Sequence, residues 1–465
     1  MPVAKNKCIY TMLLLYSLFF LHAAHGKSIS KDELLSIVRQ YHPVVKQADI
    51  GVQSAKARLL QTRGNFDPVL NTDVDRKTLD GKQYYNYINP QISIPTWYGI
   101  DLKAGIEEVS GDRVSPEYSI GQTSYAGIKF SANSLLFDAR RATLVQAKLF
   151  CKQSEADRRL AINNILYDAL HAYWNWVREY YNYSIISNAI LVNEERLKFV
   201  RIEYEQGGRP AIDTTETLSQ LQAFYVQQQA ALLAYKNAGI ELSGYLWGEN
   251  NMPYTWHDEI VPDSNDLQYE FSIPSLSAVL GNINQHPKYE SLSFKVNSLK
   301  VDQRLKAQSF IPKLSLNANM LSKGYYETSS LSAIQLENNH KVGATLSLPL
   351  FYRGAVGGYR QSKLKVLEMQ TEQQNLALQL EIKVKTYYNE VLSLKKQIQT
   401  YSSAYDNYRK LYTGEKFRFD NGESSLFVLN SRENKLLEAS QKLIELKTKW
   451  HKSYAGLLWA AGQLY

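Results

Sequence analysis

The chain has little cysteine, little proline and no hydrophobic run long enough to cross a bilayer as a helix. Its longest apolar run, Ile9 to Leu21, is about 13 residues, whereas a spanning helix needs about 20. Lys5 and Lys7 precede that run and Ala24-His25-Gly26 follow it, so residues 1–26 read as a secretory signal peptide cut before Lys27. Cys8 lies before the run, where a lipid-anchored bacterial protein carries its cysteine just after it, so no lipid anchor is expected. The mature chain then keeps Cys151 alone, which excludes an internal disulfide and suits a small packed thiol on a helix.

Other absences narrow the function. The 53 basic residues are spread among 45 acidic ones, with no basic block longer than Lys395-Lys396 or Arg140-Arg141, so a concentrated nucleic-acid footprint is missing. There is no G-x-S-x-G, no P-loop, no H-E-x-x-H and no Cys/His cluster, and His171, His257, His286 and His340 are scattered singly. No catalytic residue, cofactor or metal site is therefore expected. With 13 prolines and 24 glycines in 465 residues, extended helices are favoured over turn-rich globules.

What is present is a duplication. His42-Pro43 followed by Phe66 and Pro68 recurs as His286-Pro287 followed by Phe310 and Pro312, displaced by 244 positions. Further on the displacement is 214: Phe137 answers Phe351, Asn175 answers Asn389, Gly208 answers Gly422 and Gly248 answers Gly462. The copies thus differ by one insertion of about 30 residues between Pro68 and Phe137.

Apolar residues at three- and four-residue spacing predict a helix from about Lys31 to Gly64. A second, from about Asp138 to Gln206, contains no glycine or proline, and nearly 70 residues give it a length of roughly 100 Å. Gly207-Gly208-Arg209-Pro210 breaks it, and a return helix runs from about Ile212 to Leu246. The second copy repeats the plan: about Ser277 to Ser309, about Tyr359 to Phe419, a turn at Asn421-Gly422, then a return to about Ala461. Between the helices, Tyr125–Ala132, Leu314–Met320 and Val342–Leu348 alternate as strands, and Tyr87–Ile94 with Trp97–Glu107 read as an extra hairpin in the first copy. The expected organisation is a first repeat over 27–247 (strands about 68–136, helical hairpin about 138–246), a linker over 248–276, and a second repeat over 277–465 (strands about 312–350, hairpin about 354–461).

Among 33 tyrosines, Tyr84, Tyr85, Tyr87 and Tyr98, with Trp97, flank strands and suit a membrane interface. The helical stripe Tyr173, Trp174, Trp176, Tyr180, Tyr181 and Tyr183 suits packing.

The duplicated order resembles the TolC-type outer-membrane efflux proteins over essentially all of the mature chain. It is carried by His42-Pro43 and His286-Pro287, then Pro68 and Pro312, then Ala172-Tyr173-Trp174 and Thr386-Tyr387-Tyr388. The resemblance implies a mainly α fold with a membrane β-barrel. Long antiparallel helical hairpins form a periplasmic α-barrel, and each chain of a homotrimer gives four strands to one shared 12-stranded barrel in the outer membrane of a Gram-negative bacterium. It implies a conduit passing drugs, metal ions or proteins outward, with a periplasmic adaptor and an inner-membrane pump, proton-driven or ABC, as partners. The extra hairpin departs from that plan.

The same resemblance puts the helical turns at a periplasmic tip where the adaptor docks: Gly208, Arg209, Pro210 and Ala211 in one, Gly422, Glu423, Ser424 and Ser425 in the other. Members that lock the aperture use an acid in the first copy bonded to tyrosine and arginine in the second. Here Asp213 lies one position short of the first acid, Phe419 and Ser424 stand at the tyrosine and arginine positions, and Val428 and Ser431 replace further acids. Asp213 can pair instead with Arg209 or a neighbouring chain, or serve as a carboxylate at a helix N-terminus. The competing reading is a secreted helical scaffold or adaptor without a pore.

Overall fold

The computed structural model describes residues 28–114, 120–131, 137–249, 252–255, 260–268, 270–323 and 339–465. The expected signal peptide, Ala132 and His257 lie outside them. In chain order the elements are β1 (Ser28–Ile29), α1 (Lys31–Tyr41), α2 (Pro43–Arg63), β2 (Val69–Leu79), β3 (Lys82–Pro95), β4 (Ile100–Ser110), β5 (Gly121–Ser131), α3 (Ala139–Glu205) and α4 (Ala211–Ser243). Then come β6 (Val261–Pro262), α5 (Leu276–Gly281), α6 (Pro287–Ala307), β7 (Lys313–Lys323), β8 (His340–Ser347), α7 (Arg353–Asp420) and α8 (Leu426–Ala460).

The long helices α3 and α7 run 67 and 68 residues without a break. The expected single helix from Lys31 to Gly64 is instead two, because proline at 43 has no N–H to continue the ladder. The same break recurs before Pro287, and in each copy the histidine becomes the cap. His42 Nδ1 accepts from Val44 N at 3.2 Å, and His286 Nδ1 accepts from Lys288 N at 3.1 Å. The duplicated His-Pro is thus a helix-starting device.

The chain divides into two units. One holds the described residues up to Lys46, Ala161–Asn282 and Leu380–Tyr465. Its core packs Leu34 and Val38 of α1 against Leu166, Tyr173, Trp174, Trp176 and Val177 of α3 and Leu242 of α4. Tyr173 and Trp176 are wholly buried, as the packing reading of that stripe expects. The segment after α4 is pinned to this core: β6 pairs with β1, and Asp266 accepts from Tyr173 Oη at 2.6 Å and Lys31 N at 2.7 Å.

The other unit, Gln47–Leu160 with Ile283–Gln379, contains a sheet whose order among the described residues is β2-β3-β4-β5-β7-β8, every pair antiparallel. β2 was missed by the strand reading because Asp73, Asp75, Arg76 and Lys77 mask its alternation. Yet the 244 displacement maps it residue for residue onto β7. The inserted hairpin is β3–β4, and its turn is where Trp97 and Tyr98 lie, so Trp97 starts no strand. At the other end of β3, Asp80 (φ 52°) and Gly81 (φ 74°) make the two-residue turn with both central residues left-handed that matches strand twist.

Candidate functional site: pore wall and helical tip

The sheet registers sort its side chains by face. Gln91, Gly105, Tyr125 and Leu321 lie in one cross-strand row, and Asn71, Asp73, Asn89, Glu107, Thr123, Asn317 and Asn319 share that face. The opposite face carries Leu70, Val74, Ile92, Ile94, Leu102, Ala104, Ile128, Phe130, Leu314, Leu316, Met320, Val342 and Leu346. Tyr125 Oη reaches over β4 to Asn89 Oδ1 at 3.1 Å and Gln91 Oε1 at 3.3 Å on β3. A side chain spans two strand spacings that way only on the concave side of a curled sheet. Gly105 clears its path, since a Cβ there would stand 2.6 Å from the tyrosine oxygen.

Burial is inverted relative to a protein surrounded by water. Asn89 is 5% and Thr123 3% exposed on the polar face, while Leu70 is 73%, Val342 67% and Leu346 68% exposed on the apolar one. A convex apolar band over a polar concave wall is the pattern of a barrel in lipid around an aqueous lumen. No helix among the described residues is long and apolar enough to cross a membrane.

The helix end of the sheet is tied down by the inserted hairpin. Trp97 packs on Phe66 at 5.6 Å between ring centres, and Arg140 bonds Asp101 at 2.9 Å and Asp138 at 3.0 Å. Trp97 and Tyr98 are exposed there. Tyr87 differs from its expected interfacial role: it is buried on the concave face, with its hydroxyl donating to Glu107 at 3.3 Å.

The two helical turns close with matching hydrogen bonds. Gly207 N bonds Tyr204 O and Gly208 N bonds Glu203 O, just as Gly422 N bonds Phe419 O and Glu423 N bonds Arg418 O. The left-handed residues are Gly207 (φ 74°) and Gly422 (φ 78°). The true counterpart of Gly422 is therefore Gly207, not Gly208, a one-residue slip from the 214 displacement. Pro210 and Ser425 are the caps that follow, leaving Ala211 and Leu426 as first helical residues. Ser425 Oγ accepts from Val428 N at 3.4 Å, and Ser424 Oγ bonds Glu415.

Arg209 joins the two turns. Its guanidinium lies 4.0 Å over the Phe419 ring, donates to Phe419 O at 3.3 Å, pairs with Glu203, and approaches Asp213 at 3.6 Å. The contact between Arg209 and Asp213 is thus present within one chain. Phe419, expected at an aperture, is 1% exposed in a cluster with Val200, Leu426 and Leu429, because Arg209 covers it. Val428 is half-buried and Ser431 exposed.

Below the turns lies a buried polar network that local sequence patterns do not reveal. Arg196 and Glu433 pair through two bonds, 2.7 and 2.9 Å, with side chains 6% and 5% exposed. Asn193, Asn430 and Tyr412 complete their hydrogen bonding at 3.0 to 3.4 Å, and Asn430 also donates to Glu216 at 3.0 Å. One charge pair therefore links α3, α4, α7 and α8. Burial, then the Glu433 carboxylate, holds the Tyr412 hydroxyl above its ordinary titration range.

Residues 284–463 match the model of the outer membrane efflux protein family. By sequence, no curated protein matches. Among solved structures, the Campylobacter jejuni CmeC outer membrane channel is 16% identical, with 94% of this chain and 86% of that chain covered and a TM-score of 0.65. The open-state MtrE outer membrane channel of Neisseria gonorrhoeae is 14% identical over 93% of this chain and 89% of that one, TM-score 0.65. VceC, the outer membrane protein of Vibrio cholerae, is 14% identical over 93% and 96%, TM-score 0.62.

The fold is that of an outer-membrane efflux channel.

Among the described residues this sheet has six strands, because the inserted β3–β4 hairpin, the departure from the four-strand plan, is hydrogen-bonded into it.

Proposed function

We propose that this chain is one protomer of a homotrimeric exit duct that carries substrates out through the outer membrane. The observation that carries the reading is the exposed apolar face running across all six strands, opposite a polar concave wall. A chain with no apolar spanning helix crosses a membrane by closing strands into a barrel, where every backbone polar group finds a partner. A water-soluble helical scaffold has no use for such a band.

The helices then extend the conduit into the periplasm. Their tip carries Gly208, Arg209, Pro210, Ala211, Gly422, Glu423, Ser424 and Ser425 to a periplasmic adaptor, behind which an inner-membrane pump, proton-driven or ABC, supplies the cargo. Asp213, Val428 and Ser431 border the opening, with Arg209 over Phe419 setting the inward reach of each hairpin.

The test is direct. The purified membrane fraction yields a detergent-extracted trimer that gives discrete conductance steps in a planar bilayer. A soluble monomer without conductance returns the scaffold reading.

A further inference from the structure

The sheet has two free edges, β2 and β8, among its described strands. In hydrocarbon an unpaired edge is costly, so each must meet another strand. With six alternating strands, β2 and β8 run in opposite directions, and a copy placed beside the first keeps every pair antiparallel. The apolar band continues to both edges through Val74 on β2 and Val342 on β8, both exposed.

The internal repeat supplies the register of that seam. β5 and β7 are the last strand of the first copy and the first strand of the second, paired as Lys129↔Asn317, Ile128↔Ala318 and Gly127↔Asn319. The seam between protomers is the same junction in the other order, β8 against β2. Applying the two displacements, 214 to β5 and 244 to β7, places Gly343 opposite Asp73, Val342 opposite Val74 and Lys341 opposite Asp75. The result is chemically consistent: two valines meet on the lipid face, and opposite charges meet on the lumen face.

We propose that β8 of each protomer pairs with β2 of the next in this register, and that three copies, at six strands each, close a barrel of eighteen strands that includes the inserted hairpin. The inference rests on the exit-duct reading. Barrel width grows with strand number, so eighteen strands at the usual spacing and tilt enclose a wall roughly 36 Å across, against about 24 Å for twelve. Such a mouth passes bulkier cargo, and the side chains of the inserted hairpin, Asn89, Gln91 and Glu107 among them, line it.

Paired cysteines test both halves of the proposal in a Cys151→Ala background, with conductance read on the same preparations. Asp75→Cys with Lys341→Cys is expected to give covalent dimers and trimers on oxidation, since directly opposed strand residues lie within disulfide reach. Asp73→Cys with Lys129→Cys is expected to form no disulfide within the chain, because two strands separate β2 from β5. Conducting channels that cross-link at 73–129 place the hairpin outside the wall and overturn the proposal. Conducting channels that fail to cross-link at 75–341 overturn the register. A monomer that neither conducts nor cross-links between chains overturns the exit-duct reading itself, a separate failure.

Discussion

The guanidinium of Arg196 and the carboxylate of Glu433, 237 positions apart, face each other in two parallel hydrogen bonds inside the helical unit. Four helices meet at that pair, so its removal is a sensitive probe of tip integrity. Glu433→Ala leaves a buried cation unpaired and is expected to cost about 3–5 kcal/mol. Arg196→Met with Glu433→Leu removes both charges and recovers most of that loss. Thermal unfolding followed by circular dichroism reads the difference, and equal damage from the single and double variants would show that the pair matters by packing alone.

The two turns make a prediction about register. Gly207→Ala and Gly422→Ala force a Cβ into left-handed backbone and are each expected to destabilise their turn by about 1 kcal/mol. Gly208→Ala has ordinary backbone and is expected to be nearly neutral. Amide exchange over residues 203–213 and 418–426 measures the local opening. Greater loosening by Gly208→Ala than by Gly207→Ala contradicts the assignment.

Two histidines predict an acid limit. Burial pushes His451, stacked on Trp174 at 4.0 Å, down to about 3, with the Lys31 and Lys447 charges adding to the effect. Burial, with the Lys452 charge, pushes His171 down to about 4. Both folded-state values lie below the ordinary 6.5, so the unfolded chain binds these protons first. Their contribution is complete above about pH 6.5 and falls as the pH drops toward those folded values. For His451 the loss between pH 7 and 5 is about 2 kcal/mol, and His171 acts in the same direction. His451→Phe keeps a ring against Trp174 and is expected to flatten the slope of melting temperature against pH. An unchanged slope refutes the role.

The faces of the sheet respond oppositely to charge. Leu102→Arg or Val342→Arg on the apolar face is expected to cost about 2–4 kcal/mol at membrane depth and to lower the yield of assembled trimer in the outer membrane. Asn317→Arg on the polar face assembles normally and changes ion selectivity instead. Heat-resistant trimer on gels, together with reversal potentials, separates the two.

Much of this was legible from the amino-acid order. Proline at 43 and 287, glycine at 207 and 422, and the absence of either from 139 to 205 place the helical elements, because backbone chemistry acts locally. The same locality explains the misses. β2 hides its alternation because Asp73 and Asp75 stand on the polar face while Arg76 breaks the apolar one, and only its repeat partner β7 exposes it. The turn glycines slipped by one because a displacement measured at distant matches does not register a single-residue change between them.

The sequence by itself determined a duplicated chain of long helices and short strands, with an insertion in the first copy and no route through a membrane as a helix. Only the tertiary structure decided that the insertion is paired into the sheet, that Phe419 is sealed beneath Arg209, and that Arg196 meets Glu433. Each of these depends on residues far apart in the chain, whose pairing is set by strand register and helix packing rather than by any neighbour along the backbone.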